Sequence, residues 1–173
     1  MTAFLFTLFL TLVPTPSPAW NETNEGYYER VFIISYAIDS VTNSHRDLSV
    51  AIAVILWGES RLSPYIHAGS KLGDNGHAIC LGQQHQNKRS LKEWQNLAGT
   101  DYESTRRCVK AVSETLISSY WYCNGLSNQW GWPEAMVLYG TGRTCRAEET
   151  QWKNIFKDRA NKWEKYRRNN SHD

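Results

Sequence analysis

The sequence predicts a mainly α-helical fold in a single domain, with one small β-hairpin or glycine-rich turn. Apolar residues recur at helical spacing over most of the chain, and capping residues, prolines and glycines separate the helical segments. The alternation of apolar and polar residues that is typical of strands is nearly absent, and only residues 73–81 are candidates for a hairpin. A length of 173 residues suits one domain.

The first nineteen residues have the order of a secretory signal peptide. Residues 2–13 form an apolar run, and residues 14–19 combine three prolines with the small residues Ser17 and Ala19. We therefore expect cleavage after Ala19, which leaves residues 20–173 as the mature domain without a membrane anchor. No Lys or Arg precedes the apolar run, unlike in most signal peptides, so an uncleaved anchor is the alternative.

Two helices are predicted in the next part of the chain. Apolar residues recur at helical spacing over residues 25–41, and residues 48–57 are apolar on nearly every side. The second helix is therefore expected to be buried in the core, and it is too short to span a bilayer, which needs about 20 residues. Ser44 or Asp47 is its expected N-cap.

Four more helices are predicted downstream. Ser90 and Glu93 have the form of a capping box that begins a short helix, and Asp101 can cap a long helix over residues 102–122. Pro133 is expected to begin a short helix that Gly140 ends. The last helix, residues 147–166, has an apolar stripe on one face and Lys and Arg on the other. This stripe consists of Trp152, Ile155, Phe156, Trp163 and Tyr166.

The four cysteines, an even number, fit an exported protein with two disulfides. Cys108 and Cys123 fall on one predicted helix about 22 Å apart, too far to bond to each other. Two pairings remain, and we favour Cys80 with Cys108 and Cys123 with Cys145. A zinc site would have to use Cys80 with two histidines, but the spacing fits no common zinc motif, so we predict no metal and no cofactor. Those histidines are His77 and His85.

Trp57-Gly58-Glu59-Ser60 follows the buried apolar helix. Gly58 is expected to end that helix, which leaves Glu59 at its carboxyl end. Apolar surroundings and the negative end of the helix dipole both disfavour a charged carboxylate there. A carboxyl group that keeps its proton near neutral pH can act as a general acid, so Glu59 is the candidate catalytic residue. An inert, exposed glutamate at a frayed helix end is the alternative.

Three motifs follow one another along the chain: Glu59-Ser60, Cys80-Leu81-Gly82-Gln83 and Leu138-Tyr139-Gly140-Thr141-Gly142, with a glycine-rich stretch after the first. In this order they resemble the lysozyme-like superfamily, most closely the SLT-type lytic transglycosylases and the goose-type lysozymes. The family has Glu-Ser at a helix end, a Gly-Leu-Met-Gln-like run and a Tyr in an Ala-Tyr-Asn-Ala-Gly-like segment. The second motif is the looser match, and in the third Gly140 and Thr141 replace Asn and Ala.

The resemblance implies a lysozyme-like domain with the hairpin or glycine-rich turn beside the catalytic cleft. It implies cleavage of the β-1,4 bond between N-acetylmuramic acid and N-acetylglucosamine in peptidoglycan, with Glu59 acting first as acid and then as base. Ser60 and Gln83 would position the sugar or its amide, and Tyr139 would form a hydrogen bond near the acid.

A second carboxylate is missing from the position where the resemblance places it. Aligning Gln83 with the family's Gln puts Ala78 where hen-type lysozymes keep their second Asp. A single carboxylate fits the transglycosylase reaction, in which the muramyl 6-hydroxyl closes a 1,6-anhydro ring without water. Asp74 lies nearby and could take part, although Asp74-Asn75-Gly76 is first of all a turn.

The alternatives are a goose-type lysozyme that hydrolyses the same bond and an inactive glycan-binding protein of the same fold. The Cys before Leu81 and the altered Tyr139 segment favour the inactive protein. Trp130 and Trp132 could line a sugar groove or close the core under a loop. A net charge of +2 does not indicate nucleic acid. We expect a secreted or periplasmic monomer whose partner is the glycan strand.

The cysteine pattern gives a first testable prediction. Thiol labelling of the denatured, unreduced protein should find no free thiol, because all four cysteines are expected to be paired. Reduction should lower the melting temperature, since each disulfide contributes roughly 2–4 kcal/mol. Labelling of all four cysteines would contradict both the pairing and the predicted export.

Overall fold

A computed structural model describes residues 1–86 and 89–168 of the chain. Within these residues the protein is mainly helical with two short strands, which confirms the predicted fold class. The α-helices of the described residues are α1 (Thr2–Leu12), α2 (Asn24–Thr42), α3 (Arg46–Ser60), α4 (Pro64–His67), α5 (Leu91–Gln95), α6 (Tyr102–Leu126), α7 (Trp132–Thr141) and α8 (Lys153–Arg168).

Helix α3 is the axis of the fold. Its residues 50–56 are fully buried, because α1, α2, α6, α7 and α8 all pack against it. A helix that is apolar on every side is stable only when other elements of the protein cover all of its faces. Each buried Val, Ile or Leu side chain contributes about 1.5–3 kcal/mol of hydrophobic free energy, so α3 organises the core.

The ends of α3 differ from the prediction. The N-cap is His45, whose side chain accepts a hydrogen bond from the Leu48 amide at 3.4 Å; Ser44 and Asp47 do not have this role. At the other end the helix continues through Gly58 to Ser60, and Arg61 caps it in the left-handed conformation with φ 53°. Glu59 therefore lies inside the last turn of α3.

The hairpin lies further along the chain than predicted. Strand β1 (Ala78–Ile79) pairs antiparallel with β2 (Gln84–His85), and a single bridge joins Gly73 to Ala78. The turn between the strands contains the predicted motif Cys80-Leu81-Gly82-Gln83. Cys80 and Gln83 have φ values of 60° and 50°. Non-glycine residues adopt such values only rarely, so a turn at these two positions was not predicted from the sequence.

The capping predictions for the middle of the chain are confirmed. Ser90 and Glu93 form a capping box at the start of α5, and the Asp101 side chain accepts a hydrogen bond from the Ser104 amide at the start of α6. Helix α7 contains Pro133 in its first turn, but it ends at Gly142 in the left-handed conformation rather than at Gly140.

Helix α8 buries a different face from the predicted stripe. Phe156 and Trp163 are buried, whereas Trp152 and Ile155 are about half exposed. Arg159 lies between the two buried aromatic residues along the helix and is itself buried. A 3-10 turn (Ala147–Glu149) precedes α8, so the single helix predicted from residue 147 is interrupted.

Residues of the predicted signal peptide pack on the domain in this structure. Leu5 and Phe9 of α1 are fully buried, and the Thr2 hydroxyl and amide both donate to the Asp39 carboxylate. The Tyr27 hydroxyl donates to the Val13 carbonyl. Cleavage after Ala19 stays a prediction, and it would uncover the sides of α2 and α3 that α1 covers. None of the described helices combines the length and the apolar character needed to cross a membrane.

Two disulfides connect the helical body to its loops, in the pairing that the sequence favoured. Cys80 in the hairpin turn is bonded to Cys108 of α6, and Cys123 near the end of α6 is bonded to Cys145 after α7. All four cysteines are buried. Because Cys80 is bonded to Cys108, it cannot serve as a thiolate ligand for zinc.

A buried histidine makes the stability of the fold depend on pH. His67 is fully buried, and its Nε2 lies 2.8 Å from the Thr105 hydroxyl. Burial, with a smaller effect of the nearby charge of Arg30, lowers the pKa of His67 from 6.5 to about 3, although the charge of Asp101 acts in the opposite direction. The unfolded chain therefore binds a proton between these pH values that the folded chain does not bind, so stability falls as the pH drops below about 6.5.

We expect the free energy of unfolding to fall by about 2 kcal/mol between pH 6.5 and pH 5, since one proton taken up only by the unfolded state changes it by about 1.4 kcal/mol per pH unit. Urea unfolding at both pH values measures this. The His67→Gln variant can still bond to Thr105 but does not titrate, so its stability should change less. An equal change in both proteins would rule out His67 as the cause.

Candidate active site

The three sequence motifs meet around the carboxyl end of α3. The Tyr139 hydroxyl of α7 donates to the Gly82 carbonyl at 2.6 Å and accepts a hydrogen bond from Gln84 Nε2 at 2.5 Å. Gly82 also lies against Leu56 of α3, since a Cβ at Gly82 would be 3.6 Å from Leu56 Cδ2. Residues more than fifty positions apart in sequence thus form one small cluster against α3.

Tyr139 is held as a neutral hydrogen-bonding group. Burial of its hydroxyl raises the pKa of Tyr139 far above the ordinary value of 10, and the negative charge of Glu59 raises it further. The hydrogen bond from Gln84 and the charges of Arg159 and Arg89 act in the opposite direction but are smaller. The interaction with Glu59 places the carboxylate near this tyrosine, and the hydroxyl cannot act as a base near neutral pH.

The carboxylate of Glu59 is paired with a cation that we did not predict from the sequence. Arg159 Nη1 of α8 donates to Glu59 Oε1 at 2.6 Å. The Arg159 side chain is 7% exposed and the Glu59 side chain 21% exposed, so both lie largely out of water. The prediction of apolar surroundings for Glu59 is therefore wrong on this side. A guanidinium at this distance stabilises the charged carboxylate.

A sequence signal for Arg159 did exist. Phe156, Arg159 and Trp163 are spaced by three and four residues, the spacing of one helix face. The two aromatic residues of this set are buried, which places the arginine on the buried side. A buried guanidinium requires an opposite charge, and a carboxylate at the end of another helix could have been sought as its partner.

Two glycines make room for the arginine. A Cβ at Gly58 would lie 2.5 Å from Arg159 Nε. A Cβ at Gly140 would lie 2.9 Å from two ring carbons of Phe156 and 3.5 Å from Arg159 Nη1. Gly140 is one of the two positions at which the Tyr139 motif departs from the family pattern, and the structure gives a steric reason, because a side chain there would collide with α8.

Two predicted sugar contacts are bound to the protein backbone. The Ser60 hydroxyl donates to the Leu56 carbonyl at 2.7 Å and accepts from the Leu62 amide at 3.1 Å, and Ser60 is 4% exposed. It therefore stabilises the end of α3 and does not face the solvent. Gln83 is half-buried; its Nε2 donates to the Cys80 carbonyl at 3.2 Å, and its side chain lies directly against the glycine that precedes the Asp74 turn.

The other predicted site residues are not brought to Glu59. Asp74 is exposed, and its carboxylate lies 3.3 Å from His85 Nε2. Trp132 stacks on Tyr120 with ring centroids 4.5 Å apart, and the Arg146 guanidinium lies over Trp130. Trp132 begins α7, about 10 Å along the helix from Tyr139, and Trp130 precedes that helix. Among the described residues no hydrogen bond or ion pair links these three side chains to Glu59.

Helix α8 leaves little open space against the end of α3. A pocket of about 220 Å³ lies between the end of α3 and α8, and it is smaller than the 300–1,000 Å³ typical of ligand sites. Its lining residues are Trp57, Gly58, Arg61, Asn154, Ile155, Asp158 and Arg159. Glu59 is not among these residues, so this pocket does not reach the carboxylate.

Comparison with protein-family models, with curated proteins and with solved structures finds no match for this chain. The resemblance to lysozyme-like proteins therefore stays a prediction, based on the ordered motifs.

The close packing of Gly82 can be tested by substitution. A Cβ there would lie 2.1 Å from Val112 Cγ2 and 3.0 Å from the Tyr139 hydroxyl, so Gly82→Ala should destabilise the fold by about 1–3 kcal/mol. Gly125→Ala is the control, because Gly125 lies in the last turn of α6 with nothing within 4 Å. That variant should be unchanged or more stable by up to about 1 kcal/mol. Equal effects in urea unfolding would contradict this packing.

Proposed function

We propose that the protein is an exported lytic transglycosylase that cleaves the β-1,4 bond between N-acetylmuramic acid and N-acetylglucosamine in peptidoglycan. The observation that carries this proposal is that Tyr139 is hydrogen-bonded to Gly82 and Gln84 at the end of the buried helix α3, close enough to Glu59 for its charge to act on Tyr139. Acid-catalysed glycoside cleavage requires a carboxylic acid that protonates the leaving oxygen, and Glu59 is the residue we assign to this role.

The reaction has two proton transfers through one residue. Protonated Glu59 donates its proton to the glycosidic oxygen as the bond to the muramyl C1 breaks, and the substrate's N-acetyl group supports the departure. The Glu59 carboxylate then removes the proton of the muramyl 6-hydroxyl, whose oxygen bonds to C1. The products are a free 4-hydroxyl on one sugar and a 1,6-anhydro ring on the other, and Glu59 regains its proton.

The surroundings of Glu59 support an intramolecular acceptor rather than water. Ala78, at the position aligned with a second carboxylate, is a fully buried residue of β1. Asp74 is exposed and paired with His85, so it is not poised to activate a water molecule. The 6-hydroxyl is already tethered to the reacting sugar, which removes the entropy loss of positioning a second molecule.

Tyr139 has a supporting role in this scheme. Its raised pKa keeps the hydroxyl protonated, and its bonds to Gly82 and Gln84 fix its position. We propose that it holds the hairpin turn against the end of α3, next to the helix turn that carries the acid.

The two disulfides support the proposed compartment, because disulfides form in oxidising environments outside the cytosol. A secreted or periplasmic protein would meet glycan strands directly.

The goose-type lysozyme remains the second enzymatic candidate, and the products distinguish the two enzymes. An inactive glycan-binding protein is favoured by one observation, the ion pair between Arg159 and Glu59, because a guanidinium opposes protonation of the acid. Binding to purified peptidoglycan without release of fragments would support that candidate.

The main test uses Glu59→Gln on purified peptidoglycan. The amide keeps the shape and can still accept a hydrogen bond from Arg159, but it has no proton to donate. Fragment release should therefore fall by about 10²–10⁴-fold. Glu114→Gln, an exposed glutamate on α6, is the matched control and should keep full activity. A Glu59→Gln protein with near-full activity would remove Glu59 from the mechanism.

The identity of the products decides between transfer and hydrolysis. We expect muropeptides that end in 1,6-anhydro-N-acetylmuramic acid and are lighter by one water than hydrolysis products, because the acceptor is the substrate's own hydroxyl. Mass spectrometry of the digest measures this difference. Products with reducing ends alone would favour the lysozyme and would make Asp74 the next residue to substitute.

A further inference from the structure

Arg159 makes the closest charged contact to the proposed acid, at 2.6 Å from Glu59 Oε1. We infer that Arg159 is a positioning residue that sets how readily Glu59 releases and retains its proton, and that it thereby fixes the pH range of the enzyme. This inference rests on the proposed function, since it assigns Arg159 a part in the same proton transfer.

The contact is built into the fold rather than made by a mobile surface side chain. Arg159 projects from the buried face of α8 between Phe156 and Trp163. Gly58 and Gly140 leave the space that its guanidinium occupies. Gly58 directly precedes Glu59, and Gly140 directly follows Tyr139. The two segments that make room for the Arg159 guanidinium are therefore the same two that carry Glu59 and Tyr139.

The guanidinium has Glu59 as its acidic partner. Arg159 Nη1 donates to the Glu59 carboxylate, while the buried Nε has no hydrogen-bond partner among the described residues. The charge of Arg159 is therefore compensated mainly by Glu59, and the attraction is strengthened by the exclusion of water.

Other charged or titratable groups near this end of α3 are neutral or have partners of their own. Arg30 of α2 is paired with Glu22, and Tyr139 of α7 stays protonated. Asp158 and Lys162 of α8 are paired with each other, and Lys162 also lies over the Trp57 ring beside Arg61. Arg89, before α5, acts on Tyr139 from a distance. Arg159 is thus the group whose removal should change Glu59 most directly.

The contact has two opposite effects on the reaction. Before the reaction it stabilises the charged carboxylate, so a smaller fraction of the enzyme holds the proton that the leaving group needs. During the first step a negative charge develops on Glu59, and the same guanidinium stabilises it, so each protonated molecule reacts faster. Compared with a variant that lacks the guanidinium, the enzyme should therefore be faster at acidic pH and should lose its activity at a lower pH.

The experiment compares pH–activity profiles on purified peptidoglycan for the full chain and for Arg159→Met. Removal of the guanidinium should move the alkaline limb of the profile to higher pH. It should also lower the acid plateau by about threefold, because the acid that remains is weaker. The two profiles should therefore cross. A purely structural loss would lower activity by the same factor at every pH.

Two further variants separate charge from packing. Arg159→Lys keeps a cation on the same stem, so its profile should lie closer to that of the unmodified protein. Lys162→Met removes a neighbouring cation from α8 that does not contact Glu59, and its profile should be unchanged. Melting temperatures of all variants check that each one folds. Parallel profiles for Arg159→Met, or a shift as large for Lys162→Met, would overturn the inference.

A titration that does not depend on activity separates this inference from the proposed function. The carboxyl carbon signal of Glu59, observed by NMR, should titrate at higher pH in Arg159→Met than in the unmodified protein. If the unmodified protein releases no fragments, the proposed function fails, and a shifted Glu59 titration would then support only the control of the Glu59 proton by Arg159. If fragments are released but the Glu59 titration is unchanged, the proposed function stands and the role of Arg159 is wrong.

Discussion

Burial of α3 on every side is the constraint on which the rest of the structure depends. Five other helices cover residues 50–56, so the carboxyl end of α3 is the first place where this helix can present a polar side chain. Glu59 lies there, in the last turn, and the remaining elements are arranged around it. Helix α7 brings Tyr139, the hairpin turn brings Gly82, and α8 brings Arg159. The buried helix thus fixes the position of the proposed acid, and its neighbours determine the electrostatics.

Much of the fold could be predicted from sequence because its signals are local. The capping box at Ser90, the cap at Asp101 and the helical spacing of apolar residues each need only a few neighbouring residues to act. A disulfide between Cys108 and Cys123 could be excluded, because the helix that joins them is rigid and holds them too far apart. The errors occur where backbone conformation is unusual, as at Cys80 and Gln83, whose positive φ values form the hairpin turn with no glycine at either position.

The site could be predicted only in part, because its electrostatics come from contacts between distant segments. Glu59 and Tyr139 were predicted from motif order, but the electrostatics of the proposed acid depend on how α8 docks against α3. Arg159 is one of the Lys and Arg residues predicted on the polar face of the last helix, because charged residues are rarely buried unless they are paired. Its partner lies one hundred positions away in sequence. Ser60 shows the opposite error, since its position beside the acid suggested a sugar contact while its hydroxyl is bound within α3.

The bond between Cys80 and Cys108 has a consequence for when the cluster can form. It ties the hairpin turn, which carries the carbonyl of Gly82 that Tyr139 binds, to the long helix α6. In a reducing cytosol this bond does not form. Under the proposed export, a newly made molecule would therefore lack the covalent restraint on its hairpin until it left the producing cell. Oxidation would then supply that restraint on the side of the membrane where the proposed substrate lies, so folding itself would separate synthesis from action.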